Sequence, residues 1–140
     1  MKLRTHSICR LVKSEDLNHH GTLFAGKTAM WFVESGFIAV ASLTHPENIV
    51  CLNIHGMLFK KPIGNGHVVR FESQVVFAGK TRLVSYVRVL ENSNDDFLLD
   101  GFISFIHVDL KGKPFPHGIV IEATDPEDIA LQEQAKKLKG

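Results

Sequence analysis

Residues 25–43, AGKTAMWFVESGFIAVASL, decide how the rest of the chain must be arranged. Apolar side chains recur nearly all round a helix drawn through this run, not along one stripe, so the helix must be covered on most sides. Thr44-His45-Pro46 marks its end. The run does not read as a membrane span. Glu34, Ser35 and Gly36 interrupt its apolar residues and Lys27 sits near its start, whereas a spanning helix needs about 20 mostly apolar residues.

Outward from this helix the pattern changes. Upstream, residues 6–12 suit a short strand. A polar, turn-rich loop follows over residues 13–21, with Asp16, Asn18, His19, His20 and Gly21. Downstream the apolar period switches from 3.6 to 2. Residues 49–59 alternate, with Val50, Leu52, Ile54 and Leu58 on one face. Residues 68–77 place Val69, Phe71, Val75 and Phe77 together. Residues 83–90 set Leu83, Val87 and Val89 opposite Arg82, Tyr86 and Arg88. Residues 97–108 group Leu99, Ile103 and Phe105. Short turns at 64–66, 78–80, 92–95 and 111–112 imply antiparallel neighbours. Thr124-Asp125-Pro126-Glu127 has the form of a capping box with proline in the first turn, starting a C-terminal helix that ends in Lys136, Lys137 and Lys139.

Burial then suggests the architecture. One helix is apolar on nearly every side and at least four antiparallel strands follow it, so a curled sheet wrapped around a long central helix is expected, in an α+β fold with a short C-terminal helix. An open sheet edge and leftover apolar surface favour pairing with a second copy. The chain has 140 residues and is expected to form one domain, with a core over about 6–116 and a tail helix over about 125–138. Its formal net charge of +1 gives no global field for nucleic acid or an acidic membrane. Cys9 and Cys51 form no CxxC, and the first residues lack the apolar run of a signal peptide, so a reduced, cytoplasmic setting is expected. Eight histidines show neither HxH nor HExxH spacing, so no metal is expected. No GxGxxG, P-loop or GxSxG run is present.

Two features can carry chemistry. Glu34 has Met30, Trp31, Phe37 and Ile38 at three and four positions, and a carboxylate among such neighbours is costly to ionise without partners or water. The plainer reading puts Glu34 on a narrow polar strip with Lys27, Ser35 and Ser42. The second feature is the loop NHHGTLFAG, residues 18–26, which runs straight into the helix. A helix start presents free backbone N–H groups, and the small residues Ala25 and Gly26 let a carbonyl approach them, as an oxyanion hole requires. Turn and packing glycine is the plainer reading of Gly21 and Gly26.

NHHGTLFAG followed by WFVESGFIA resembles the acyl-CoA thioesterases of the hotdog superfamily, in particular the short bacterial acyl-CoA hydrolases and the brain-type enzymes. The similarity continues in order through IHGMLFKKPIGNGHVV, AGKTRLVSYVRV and FIHVDLKGKPFP, covering about residues 11–116. The resemblance implies hydrolysis of acyl-CoA to a free acid and CoA by a homo-oligomer, with no cofactor beyond the CoA of the substrate. It gives Asn18 the role of bonding the thioester carbonyl or positioning water. The family's helix acid falls at Val33, often with a second acid next to it. Here only that next position is acidic, which leaves Glu34 as general base or nucleophile, or leaves a protein that binds acyl-CoA without cleaving it. Gly26 matches the second glycine of the motif and Ala25 replaces the first. Lys60, Lys61, Lys80, Thr81 and Arg82 are candidates for the CoA phosphates, or else solvated strand ends. His55, where relatives often carry aspartate, orients water or Asn18, or is a plain sheet histidine. Phe24 and Trp31 would line an acyl channel. A hotdog dehydratase would carry His-Phe-Pro-Gly before the helix, and His20-Gly21 lacks the Phe-Pro. A sensing protein of this type tends to carry a DNA-binding segment, for which no room precedes residue 6.

Overall fold

The structure, a computed structural model, describes residues 4–138. It is an α+β fold with β1 (His6–Leu11), α1 (Ala25–Ala41), β2 (Ile49–His55), β3 (Val68–Ala78), β4 (Arg82–Glu91), β5 (Phe97–His107) and α2 (Pro126–Lys136). The strands form one antiparallel sheet in the order β1-β3-β4-β5-β2, which places β2 at an edge.

α1 lies across one face of this sheet. Trp31, Phe32, Ala39 and Val40 pack on Val69, Phe71, Leu83, Val87, Val89, Leu99, Ile103 and Phe105, the alternate residues that the period-2 pattern singled out. Two glycines set the approach. A methyl on Gly36 would stand 2.6 Å from Ile103 Cδ1, and one on Gly101 would stand 3.1 Å from Phe32 Cζ. The helix has 17 residues, ending two before Leu43. It is not covered all round. Met30, Glu34 and Ile38, at i, i+4 and i+8, form an exposed stripe on the side away from the sheet.

Two bulges change which side residues face. In β3, Val75 pairs with Ser85 and Phe77 with Val84, leaving Val76 as the extra residue. Phe77 therefore leaves the face of Val75 and joins the outer face, against the sequence expectation. In β2 the register shifts between Cys51 and Asn53, so Val50 opposes Ile106 while Ile54 opposes Ile103 on the other face. β2 stops at His55, four residues before Phe59, because Gly56 (φ 84°) and Met57 (φ 149°) break the extended backbone. Val50, Leu52, Ile54, Leu58 and Phe59 are all exposed instead of sharing a buried face.

On the outer face, Leu131 and Ala135 of α2 pack over Val76, Val84, Phe77, Tyr86 and Phe102. Asp125 caps α2 without a side-chain bond and Pro126 opens it, so the capping box read at Thr124 does not form. Lys136 pairs with Glu133, Lys137 caps the end, and Lys139 lies outside the described residues. No helix among the described residues is long and apolar enough to cross a membrane.

Candidate active site

The loop before α1 is held by its own side chains. Asn18 Oδ1 accepts the His20 and Thr22 backbone N–H groups at 2.8 and 3.2 Å, and Asn18 Nδ2 donates to Thr22 Oγ1 at 3.1 Å. Gly21, at φ 80°, makes the turn whose N–H returns to the Asn18 carbonyl. The loop is tied to the following segment by Leu23 N–H on the Ile63 carbonyl and to its own start by Phe24 N–H on the Asp16 carbonyl. Asn18 is thus the organiser of this loop.

Phe24 precedes the first helical residue and has no capping side chain. Among the described residues the Ala25 and Gly26 N–H groups have no acceptor. They are the first free donors of α1, at the positive end of its dipole. The Phe24 ring folds over Gly26, where an added methyl would stand 2.5 Å from its Cε2. Beside this end of α1 lies an apolar groove of about 320 Å³, lined by Leu23, Thr28, Phe59, Pro62 and Ile63 with Lys60 and Lys61 at its rim. Lys61 is already paired with Asp96 at 3.3 Å.

Glu34 is not buried. Its side chain is 49% exposed and bonded by Arg10 Nη2, which reaches it from β1. The expectation of an isolated carboxylate among apolar neighbours is corrected by that partner and by the open stripe. Arg10 Cζ stands 5.6 Å from the Trp31 ring centroid and Lys27 Nζ stands 6.0 Å from it. Trp31 itself is buried edge-on against Phe71, as part of the core between α1 and the sheet. Lys27 pairs with the buried Asp16 at 3.5 Å. The Lys13 backbone N–H, which Asp16 Oδ2 accepts at 2.9 Å, holds that carboxyl below its ordinary range.

The side chain of His55 faces away from α1. It pairs with Phe102 on the outer face, and its Nε2 stands 2.8 Å from the hydroxyl of Ser104, which is wholly buried. Arg82 Nη2 donates to the same hydroxyl at 3.2 Å, and the Arg82 guanidinium lies 5.8 Å from the Phe77 ring centroid. Burial, and then the neighbouring guanidinium, lower the His55 pKa; burial lowers that of Arg82. Lys80 is exposed and Thr81 partly buried on the turn before Arg82, with the Thr81 carbonyl accepting the His107 N–H at 2.6 Å.

The structure therefore gathers Asn18, Gly21, Phe24, Ala25, Gly26, Lys60 and Lys61 around the start of α1. Glu34 lies two turns along the same helix, about 12 Å from Gly26 by the helical rise. His55, Lys80, Thr81 and Arg82 belong elsewhere, along β2 and the start of β4. Sequence reading missed Arg10, Asp16 and Ser104. Arg10 had a usable signal, because alternation along β1 puts it on the same side as Ile8. Ser104 had none, since its partners come from two other strands.

No protein-family model matches the chain. It is 29% identical over 124 residues to the uncharacterized acyl-CoA thioester hydrolase YkhA of Bacillus subtilis, covering 86% of this chain and 71% of that protein. It superposes with a TM-score of 0.82 on a hexameric acyl-CoA thioesterase solved in its apo form, at 28% identity, covering 94% of this chain and 86% of that one. The same fold, at 23% identity and a TM-score of 0.81, is that of the Staphylococcus aureus acyl-CoA hydrolase solved with butyryl-CoA, CoA and CoA disulfide, over 95% of this chain and 80% of that one. In sequence and in fold, the chain is thus similar to acyl-CoA thioester hydrolases.

Proposed function

We propose that the protein hydrolyses acyl-CoA thioesters to the free acid and CoA, using the amides of Ala25 and Gly26 against the thioester oxygen and the Glu34 carboxylate on water or on the carbonyl carbon. The observation that carries this reading is the unbonded pair of amides at the start of α1, beside an apolar groove and just after a loop fixed by Asn18. Asn18 acts by holding the loop that aims them. Phe24 covers the approach, and Lys60, Lys61, Lys80, Thr81 and Arg82 serve the phosphates of CoA.

Glu34 and the amides are too far apart on one helix to act on one carbonyl. The reading therefore needs two copies, with Glu34 of one working beside the amides of the other. The exposed stripe of α1 and the exposed edge strand β2 support such pairing, and a second copy would supply the cover that α1 lacks. The similarity to a hexameric thioesterase supports assembly of such pairs into a hexamer.

A second reading has an observation of its own. Glu34 is engaged by Arg10, and the resemblance puts the family's acid at Val33 instead, which suits a protein that binds acyl-CoA without cleaving it. Thiol release from a panel of acyl-CoAs, followed with a thiol-reactive dye, separates the two. Release that falls in Glu34→Ala and Asn18→Ala supports the hydrolase and these roles. Release at the wild-type rate in both variants removes the roles, and tight binding without release favours the binding protein.

A further inference from the structure

Glu34 takes its orientation from outside its own helix. Its neighbours at three and four positions along α1 are Met30, Trp31, Phe37 and Ile38, none of them charged. Lys27, the one cation of α1, is held by Asp16 at 3.5 Å. The partner of Glu34 arrives from β1, where Arg10 stands opposite Val69 of β3. The Arg10 guanidinium is fixed on two sides. Its Cζ lies 5.6 Å from the Trp31 ring centroid, and its Nη2 donates to Glu34 Oε1. Trp31 is fixed in turn, buried edge-on against Phe71 with ring centroids 6.1 Å apart. A continuous line of contacts thus runs from the core through an indole and a guanidinium to one carboxylate oxygen. Arg10 gains little stability from this place. Its Nε is buried with no acceptor, and a part-exposed ion pair returns little for that lost hydration. Only Oε1 of the carboxylate is engaged. Among the described residues Glu34 Oε2 takes no hydrogen bond, and the side chain lies on the open stripe of α1.

We propose that Arg10 is a positioning residue for Glu34, with Trp31 as its platform: it holds Oε1 and leaves Oε2 free to work on water or on the carbonyl carbon. This rests on the hydrolase reading, in which Glu34 acts on a thioester held by a second copy. A long, exposed carboxylate that turns freely about its torsions loses much of the advantage of proximity, and a small misplacement of a reacting group is costly in rate. A guanidinium locked on a buried ring removes that freedom, because its planar fork is directional where an ammonium is not. Arg10 acts only through Glu34 and touches no substrate.

Steady-state thiol release from acyl-CoA by the full-length protein tests it, in a double-mutant cycle of Arg10→Met and Glu34→Gln. Arg10→Met keeps an apolar stem over Trp31 and removes the fork. It should lower kcat by about tenfold or more with KM little changed. Arg10→Lys, which can still bond Oε1, should lose less. Added to Glu34→Gln, Arg10→Met should lower kcat no further, since a residue that acts through the carboxylate has nothing left to position. Unfolding midpoints show that each variant is folded, and Arg10→Gln makes the same comparison if Arg10→Met does not fold. Wild-type kcat in Arg10→Met beside a slow Glu34→Gln overturns the positioning role and leaves the hydrolase reading standing. An equal loss with and without the carboxylate marks a general structural effect and overturns it too. Wild-type kcat in Glu34→Gln, or no thiol release by the wild type, removes the reading of Glu34 and the proposal with it.

Discussion

The Ser85 hydroxyl donates to the Gly36 carbonyl at 2.8 Å, pinning the middle of α1 to β4. The contact exists because residue 36 has no side chain. Gly36→Ala would gain roughly 0.5–1 kcal/mol of helix propensity. Its new methyl, however, would stand 2.6 Å from Ile103 Cδ1 and 3.3 Å from Val87 Cγ2, both wholly buried. Overpacking of this kind costs about 1–3 kcal/mol, so the clash wins and urea denaturation should show a net loss of roughly 1–2 kcal/mol. An increase in stability would mean that the helix can lift from the sheet at little cost.

The Arg10–Glu34 pair separates stability from chemistry. The Arg10 side chain is 36% exposed and that of Glu34 49%, and such pairs contribute about 0.2–1 kcal/mol. Loss of a general base lowers a rate by about 10² to 10⁴. Glu34→Gln should therefore unfold within 1 kcal/mol of wild type while losing about a hundredfold in kcat. Unchanged kcat would assign Glu34 to the ion pair alone.

Stability should fall on acidification from about pH 6.5 downward. His117 Nε2 donates to the Arg82 carbonyl at 3.1 Å, and its Nδ1 accepts the Ile119 N–H at 2.9 Å, so the ring is needed neutral. Burial holds its pKa below the usual 6.5, and burial acts the same way on His6 and His55. The unfolded chain takes up these protons first. Below the ordinary histidine value it binds more protons than the native state, and the free energy of unfolding drops. Guanidinium denaturation at about pH 7.5 and about pH 5.5 checks this, with a smaller drop expected in His117→Asn. Equal stability at the two pH values would contradict it.

Self-association should depend on the edge strand. Leu52 is the extra residue of the β2 bulge and is 50% exposed, so Leu52→Lys leaves the single chain's core untouched. A charge there opposes pairing of edges. Sedimentation should show wild type as a dimer or larger and Leu52→Lys as a monomer with wild-type secondary structure. An assembly that survives the change would place the interface elsewhere.

Much of the fold was legible because α1 and β3 to β5 are long, and alternation over ten residues leaves little room for error. The loop at Asn18 and the helix start were legible as local chemistry. What escaped depends on residues far apart in the chain. Glu34 read as isolated because its partner, 24 positions earlier, arrives only when β1 takes its place in the sheet. β2 read as longer than it is because its apolar alternation runs to Phe59, while an edge strand can keep such residues in the open. Phe77 read as core because nothing in the sequence announces that Val76 is supernumerary.

That supernumerary residue has a consequence for the C-terminus. If position 76 were deleted, Phe77 would follow Val75 in an unbroken ladder and still face Val84. What the insertion adds is a single isopropyl group, wholly buried with Val84 beneath Ala135. The tail thus docks on a platform of Val84, Phe77, Tyr86 and Phe102 to which the interpolated residue adds one more fully buried side chain.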